Sequence, residues 1–120
     1  MIKYVHLIKH FDAFKMQEEV SALEQSFWKP HYNEKQYEGE WTTLPLRSIN
    51  GNIQNSVSIQ SSSLQQNMAY RDTVLLKDCF YLQSVINFFL CEKMSVRLMK
   101  LNPGAVIKEH ADLEMSFEEG

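Results

Sequence analysis

The chain has 120 residues, 44% of them hydrophobic, with 12 basic against 15 acidic side chains and a net charge of −3. That is enough to bury one core, so a single domain over residues 1–120 is expected, and the acidic balance without any Lys/Arg run excludes a generic nucleic-acid surface or a basic membrane patch. No apolar stretch approaches transmembrane length, and Cys79 and Cys91 show no metal-type spacing and follow no signal sequence, which points to a reducing cytoplasm.

Residues 2–8, Ile-Lys-Tyr-Val-His-Leu-Ile, are β-branched and aromatic with partial alternation, which predicts a strand. From Asp12, a natural N-cap, Met16, Val20, Leu23 and Phe27 recur at helical spacing and form one apolar stripe, with Phe11 placed to staple against Met16 or a neighbour. Residues 28–40, with Pro30 and Gly39, read as loop. Trp41 to Ile49 has strand composition, with Pro45 favouring an edge or a bulge. Arg47 in that strand is a candidate for binding an acidic substrate or co-substrate if it projects inward; otherwise it is an exposed strand arginine.

Residues 50–66 are rich in Ser, Asn and Gln without a period, and read as a long loop, either a lid or a disordered insertion. Tyr70-Arg71-Asp72-Thr73 can cap a short turn before Val74-Leu75-Leu76. Phe80, Val85, Phe88, Phe89 and Leu90 then predict a buried helix from near Asp78 to before Lys93. Residues 93–101 read as a strand with Arg97 and Met99 on one face, followed by the turn Asn102-Pro103-Gly104. The next extended stretch ends in His110-Ala111-Asp112, where alternation points the imidazole and the carboxylate the same way. These are two of the three ligands of a 2-His-1-carboxylate site for non-haem Fe(II). His10-Phe11-Asp12 has the same spacing, but there Asp12 is better explained as a helix cap.

The longer string, Arg97 to Ile107 followed by His110-x-Asp112-Leu113-Glu114 and Phe117-Glu118-Glu119-Gly120, resembles the aspartyl/asparaginyl β-hydroxylase family, which belongs to the Fe(II)/2-oxoglutarate-dependent dioxygenases. Trp41-x-x-Leu44-Pro45-Leu46-Arg47-Ser48 and Tyr70-Arg71-Asp72-Thr73-x-Leu75-Leu76 look like segments that precede this core in bacterial members. The resemblance implies a double-stranded β-helix, a jelly-roll or cupin-like α+β domain braced by N-terminal helices. It implies His110 and Asp112 as metal ligands, Fe(II) and 2-oxoglutarate as cofactors, and Met99 near the 2-oxoglutarate pocket; Arg97, like Arg47, is a candidate for recognising a carboxylate of cofactor or substrate.

Ala111 stands where relatives often carry Arg, and Met99 where some carry a polar residue. In the family the second metal His and the Arg that pairs with 2-oxoglutarate lie beyond a Gly resembling Gly120; here no His follows His110 and no Arg follows Arg97. The chain is therefore expected to be the N-terminal, incomplete part of such a domain, which either pairs its unclosed strand edges with a second copy in a homodimer or forms a different, helix-braced α+β domain.

Three functions stand side by side at this point. The first is hydroxylation of an aspartyl or asparaginyl side chain or a free amino acid. The second is a non-catalytic module that binds a protein partner by strand addition. The third is a cupin-like metal protein that recruits a further ligand from His6, His10 or His31.

Overall fold

The computed structural model describes residues 4–53 and 69–110. Helix α1 spans Ala13–Ala22. The Asp12 carboxylate accepts the backbone N–H of Phe14 at 3.0 Å and of Lys15 at 3.2 Å, satisfying donors that the first turn leaves open. Met16, Val20 and Leu23 pack on the core as the spacing predicts, and Phe27 joins them from a short 3-10 turn, Gln25–Phe27. Phe11, just before the cap, reaches across to the end of the second helical segment. Its ring packs edge-on against Phe88 at 5.6 Å and tilted against Phe89 at 6.2 Å.

A second 3-10 turn, Val74–Leu76, leads into helix α2, Phe80–Phe88. Its start is capped from a distance: the two carboxylate oxygens of Glu19 on α1 accept the backbone N–H groups of Tyr81 and Leu82 at 2.7 and 2.8 Å. The helix is shorter than its apolar run and turns a different side inward. Cys79, Leu82 and Ile86 face the core at helical spacing, while Phe80 and Leu90 are 72% and 98% exposed. Counting apolar residues there overstated the burial, because the face is chosen by what α1 and the sheet can cover.

Strand β1 is Lys29–Pro30, β2 Tyr37–Glu38, β3 Trp41–Ile49, β4 Tyr70–Asp72, β5 Val96–Leu101 and β6 Val106–Ile107. The central strand is β3, and its pairings are antiparallel. Because β5 runs along one side of it from Trp41 to Arg47, β1 and β4 must share the other side, at opposite ends. Pro45 therefore sits in a central strand. The register slips between Pro45 and Arg47, so the missing N–H falls at a bulge, and Thr73 Oγ1 donates to the Pro45 carbonyl at 2.8 Å. Residues 28–40 are largely irregular, as expected, apart from the short strands β1 and β2 and a 3-10 turn at Glu34–Gln36.

Leu44 and Leu46 from β3 meet Leu75, Leu76, Cys79 and Leu82 in the buried core, with Val96 and Leu98 of β5 packed against it. Burying a leucine side chain fully is worth about 1.5–3 kcal/mol. The result is a mixed helix and antiparallel-sheet fold with the helices on one sheet face.

The strand predicted at residues 2–8 does not form over its described part, residues 4–8. Tyr4 and Ile8 are 83% and 92% exposed there, because alternation creates no strand without a neighbour to take its backbone groups. The Ser- and Asn-rich loop begins with a turn at Asn50 and Gly51, both at positive φ, and its residues from 54 lie outside the described residues. Among the described residues no helix is long and apolar enough to cross a membrane.

Candidate functional site

The candidate site lies on the sheet face away from the helices. Side chains paired across antiparallel strands share a face, and the register sets Trp41 opposite Leu101, Thr43 opposite Met99 and Pro45 opposite Arg97. Beyond Leu101 the chain turns through Asn102-Pro103-Gly104, where Ala105 N–H donates to the Asn102 carbonyl at 3.0 Å and Gly104 takes φ +85. Pro followed by a positive-φ Gly is what a type II turn requires. Asn102 is tied to Glu40 through both its backbone N–H, at 3.0 Å, and its side-chain amide.

After the turn β6 pairs with β2, which immediately precedes β3, so β2–β3 and β5–β6 form one long ribbon with a bend. Gly39, at φ +86, sits at that bend; a Cβ there would lie 2.8 Å from the Cα and Cβ of Ala105. Only glycine allows this approach. Lys108 N–H donates to the Gln36 carbonyl at 2.7 Å and extends the pairing toward His110.

The imidazole of His110 lies 6.3 Å from the Trp41 ring, centroid to centroid. Its Nδ1 is 2.7 Å from the Lys108 carbonyl. A carbonyl only accepts, so Nδ1 donates its proton there, which leaves Nε2 as the position for a lone pair, the disposition that metal-ligating histidines take.

Trp41, 5% exposed, is held by His31, whose ring stacks on it at 3.7 Å, and by the edge of Tyr37 at 5.4 Å. His31 N–H donates to the Trp41 carbonyl at 2.8 Å, and Tyr37 OH donates to the His31 carbonyl at 3.2 Å. Burial, reinforced by Glu34, raises the Tyr37 pKa, so the phenol stays a donor. His31 Nδ1 accepts the Asn33 N–H at 3.3 Å, which places the His31 proton on Nε2, the reverse of His110.

Arg97 is half-buried on the Trp41 face and makes no hydrogen bond or ion pair among the described residues, while Met99 beside it is 48% exposed. Arg47 is already engaged: Nη1 pairs with Asp72 at 3.1 Å and Nε donates to the Lys93 carbonyl at 3.3 Å. Asp112 lies outside the described residues. Among the described residues no three His, Cys, Asp or Glu side chains converge on a point that could hold a metal, and His6 and His10 lie on the exposed segment before α1.

The structure thus brings His110, Met99 and Arg97 to one face. His31, in sequence a loop histidine and a candidate further metal ligand, instead braces Trp41; the signal for that role is its setting between Trp28 and Trp41 in a chain with two tryptophans. No family model, no curated protein and no solved structure matches this chain.

Proposed function

We propose that the chain is the iron-binding part of a Fe(II)/2-oxoglutarate-dependent dioxygenase of the aspartyl/asparaginyl β-hydroxylase type, its open sheet being one side of a double-stranded β-helix. The observation that carries the proposal is the position of His110. The Pro103-Gly104 turn and the β2/β6 pairing return it to the sheet face that bears Arg97 and Met99, with Nε2 as its lone-pair nitrogen.

In this reading His110 and Asp112 hold Fe(II), and bound iron and 2-oxoglutarate supply the oxygen chemistry that hydroxylates an amino acid or an aspartyl or asparaginyl side chain. The chain's own residues bind and orient. The Lys108 carbonyl fixes the His110 ring, and the buried Trp41, covered by His31 and Tyr37, gives the ring a rigid aromatic neighbour. Met99 adds apolar contact, and Arg97 offers a guanidinium to a carboxylate. Arg47 would serve an acidic substrate only by giving up Asp72. Free Cys79 and Cys91 fit a reducing cytoplasm.

Anaerobic calorimetry with Fe(II), with and without 2-oxoglutarate, tests this on the native chain and on His110→Ala. Binding that tightens with 2-oxoglutarate and vanishes in the variant is expected; equal binding by both would refute the site. A second reading, a non-catalytic module that takes a protein partner by strand addition, rests on the outer edge of β5, which no strand covers among the described residues.

A further inference from the structure

β5 borders the sheet: its inner side pairs with β3, and among the described residues its outer side pairs with nothing. It is six residues long, without Pro or Gly, and on the site face it exposes Met99 at 48% and Leu101 at 46%. Such an edge is a template for another strand. A second copy of β5 suits it for a reason of parity and charge. A twofold axis normal to the sheet keeps every side chain on its own face, so facing residues must both be odd-numbered or both even-numbered.

Antiparallel pairing centred on Arg97 sets two guanidiniums opposite each other, and pairing centred on Lys100 does the same for two ammoniums, which is unfavourable in each case. Pairing centred on Leu98 engages residues 96–100 and leaves Leu101 outside the ladder. Pairing centred on Met99 engages residues 97–101, covers both exposed apolar side chains and opposes no like charges.

We propose that β5 pairs with β5 of a second copy about a twofold axis at Met99, so that each site face receives the partner's Arg97. In that register the partner's Arg97 faces Leu101, which itself faces Trp41 beneath His110. Neighbouring strands are about 4.8 Å apart, so the partner's Arg97 is rooted about 10 Å from Trp41 across two strands, whereas the chain's own Arg97, four residues along β5 and one strand over, is about 14 Å from it. Of the two Arg97 guanidiniums, the partner's then stands nearer Trp41 and His110 for a carboxylate ligand. The pairing stands on the sheet edge alone; the role given to Arg97 rests on the dioxygenase reading.

Light scattering on the full chain is expected to give a dimer, twice 14.1 kDa, and Met99→Asp, which sets two carboxylates face to face, a folded monomer by circular dichroism. In a Cys91→Ser background, mild oxidation of Met99→Cys should give a disulfide-linked dimer, because facing residues in an antiparallel pair lie within disulfide reach. A monomeric native chain, or Met99→Cys that stays unlinked, overturns the pairing.

The shared site is read by mixing two variants that each fail to bind Fe(II) with 2-oxoglutarate, Arg97→Ala and His110→Ala. Random exchange of chains should restore about a quarter of the native sites, since each mixed dimer holds one intact pair of residues. A linked dimer without that recovery overturns the role of the partner's Arg97. A linked dimer whose native form binds no ligand overturns the dioxygenase reading as well and leaves the pairing supported.

Discussion

On one face of the sheet Leu44 and Leu46 lie under two helices and a 3-10 turn, among side chains that are mostly aliphatic; on the other, Trp41 lies under His31 and Tyr37, with Arg97, Met99 and Leu101 left partly in water. The first face is held by area removed from water and is non-directional. The second depends on particular orientations: a stacked ring, two ring-nitrogen hydrogen bonds of opposite sense, and a glycine where two backbones touch. Packing sets stability on the first face, while geometry decides what the second can bind.

Leu44→Ala should be the most damaging single change on the core face. Leu44 is 0% exposed, and removing such a leucine costs about 2–5 kcal/mol through lost transfer energy and the cavity left behind. Urea denaturation should show the midpoint falling with the slope unchanged. A loss under 1 kcal/mol would mean that the helices do not seal that face.

Gly39 and Gly104 sharpen the contrast on the site face, since both have positive φ but only Gly39 is crowded. Gly104→Ala has nothing within 4 Å of its new Cβ and pays only for its backbone conformation, about 1 kcal/mol. Gly39→Ala must also push Ala105 away, so it should cost about 2–3 kcal/mol and detach β6 from β2. Hydrogen exchange checks this directly: Lys108 N–H should lose protection in the Gly39 variant and keep it in the Gly104 variant. Similar behaviour of the two would show that the close contact at the bend does not hold the ribbon.

Glu19 joins α1 to α2 and gives a smaller effect, confined to the core side. Glu19→Gln keeps one acceptor but loses the charge and one of two hydrogen bonds to α2, at a cost of about 1 kcal/mol. Denaturant melts should show that loss.

What could be read from the chain follows the same division. The cap at Asp12, the stripe Met16, Val20, Leu23 and Phe27, the strand from Trp41 to Ile49 and the Asn102-Pro103-Gly104 turn are local patterns, and the structure carries them. Residues 4–8 show the limit, because a strand needs a neighbour that local sequence does not specify. The Glu19 cap spans 62 residues to Tyr81 and the His31–Trp41 stack depends on β1 meeting β3, so neither has a period or spacing to announce it. His110 was legible from its turn and its motif. That Arg97 shares its face while Arg47 is tied to Asp72 is a matter of register, which emerges only once the strands are paired.

The two faces also differ in how they meet alkali, through one group each. Cys79 lies in the core, its thiol pKa raised from 9.0 by burial and then by Glu19 and Asp78; Tyr37 lies at the site, raised from 10.0 by burial and then by Glu34. In both, the fold favours the protonated form. Above the unfolded value the unfolded chain gives up its proton first and so binds fewer protons than the native chain, which makes the slope of stability against pH negative. The stabilisation is complete below about pH 9 and declines as pH rises through the raised values, the thiol acting first. Cys79→Ala should flatten the earlier part of that decline in denaturant melts run from neutral to alkaline pH, and Tyr37→Phe the later part. The same burial predicts that an alkylating reagent at neutral pH modifies exposed Cys91 in the native chain and reaches Cys79 only after unfolding. Equal labelling of both thiols by intact-mass measurement would show that the core face opens readily in the native chain, contrary to the packing that encloses Cys79.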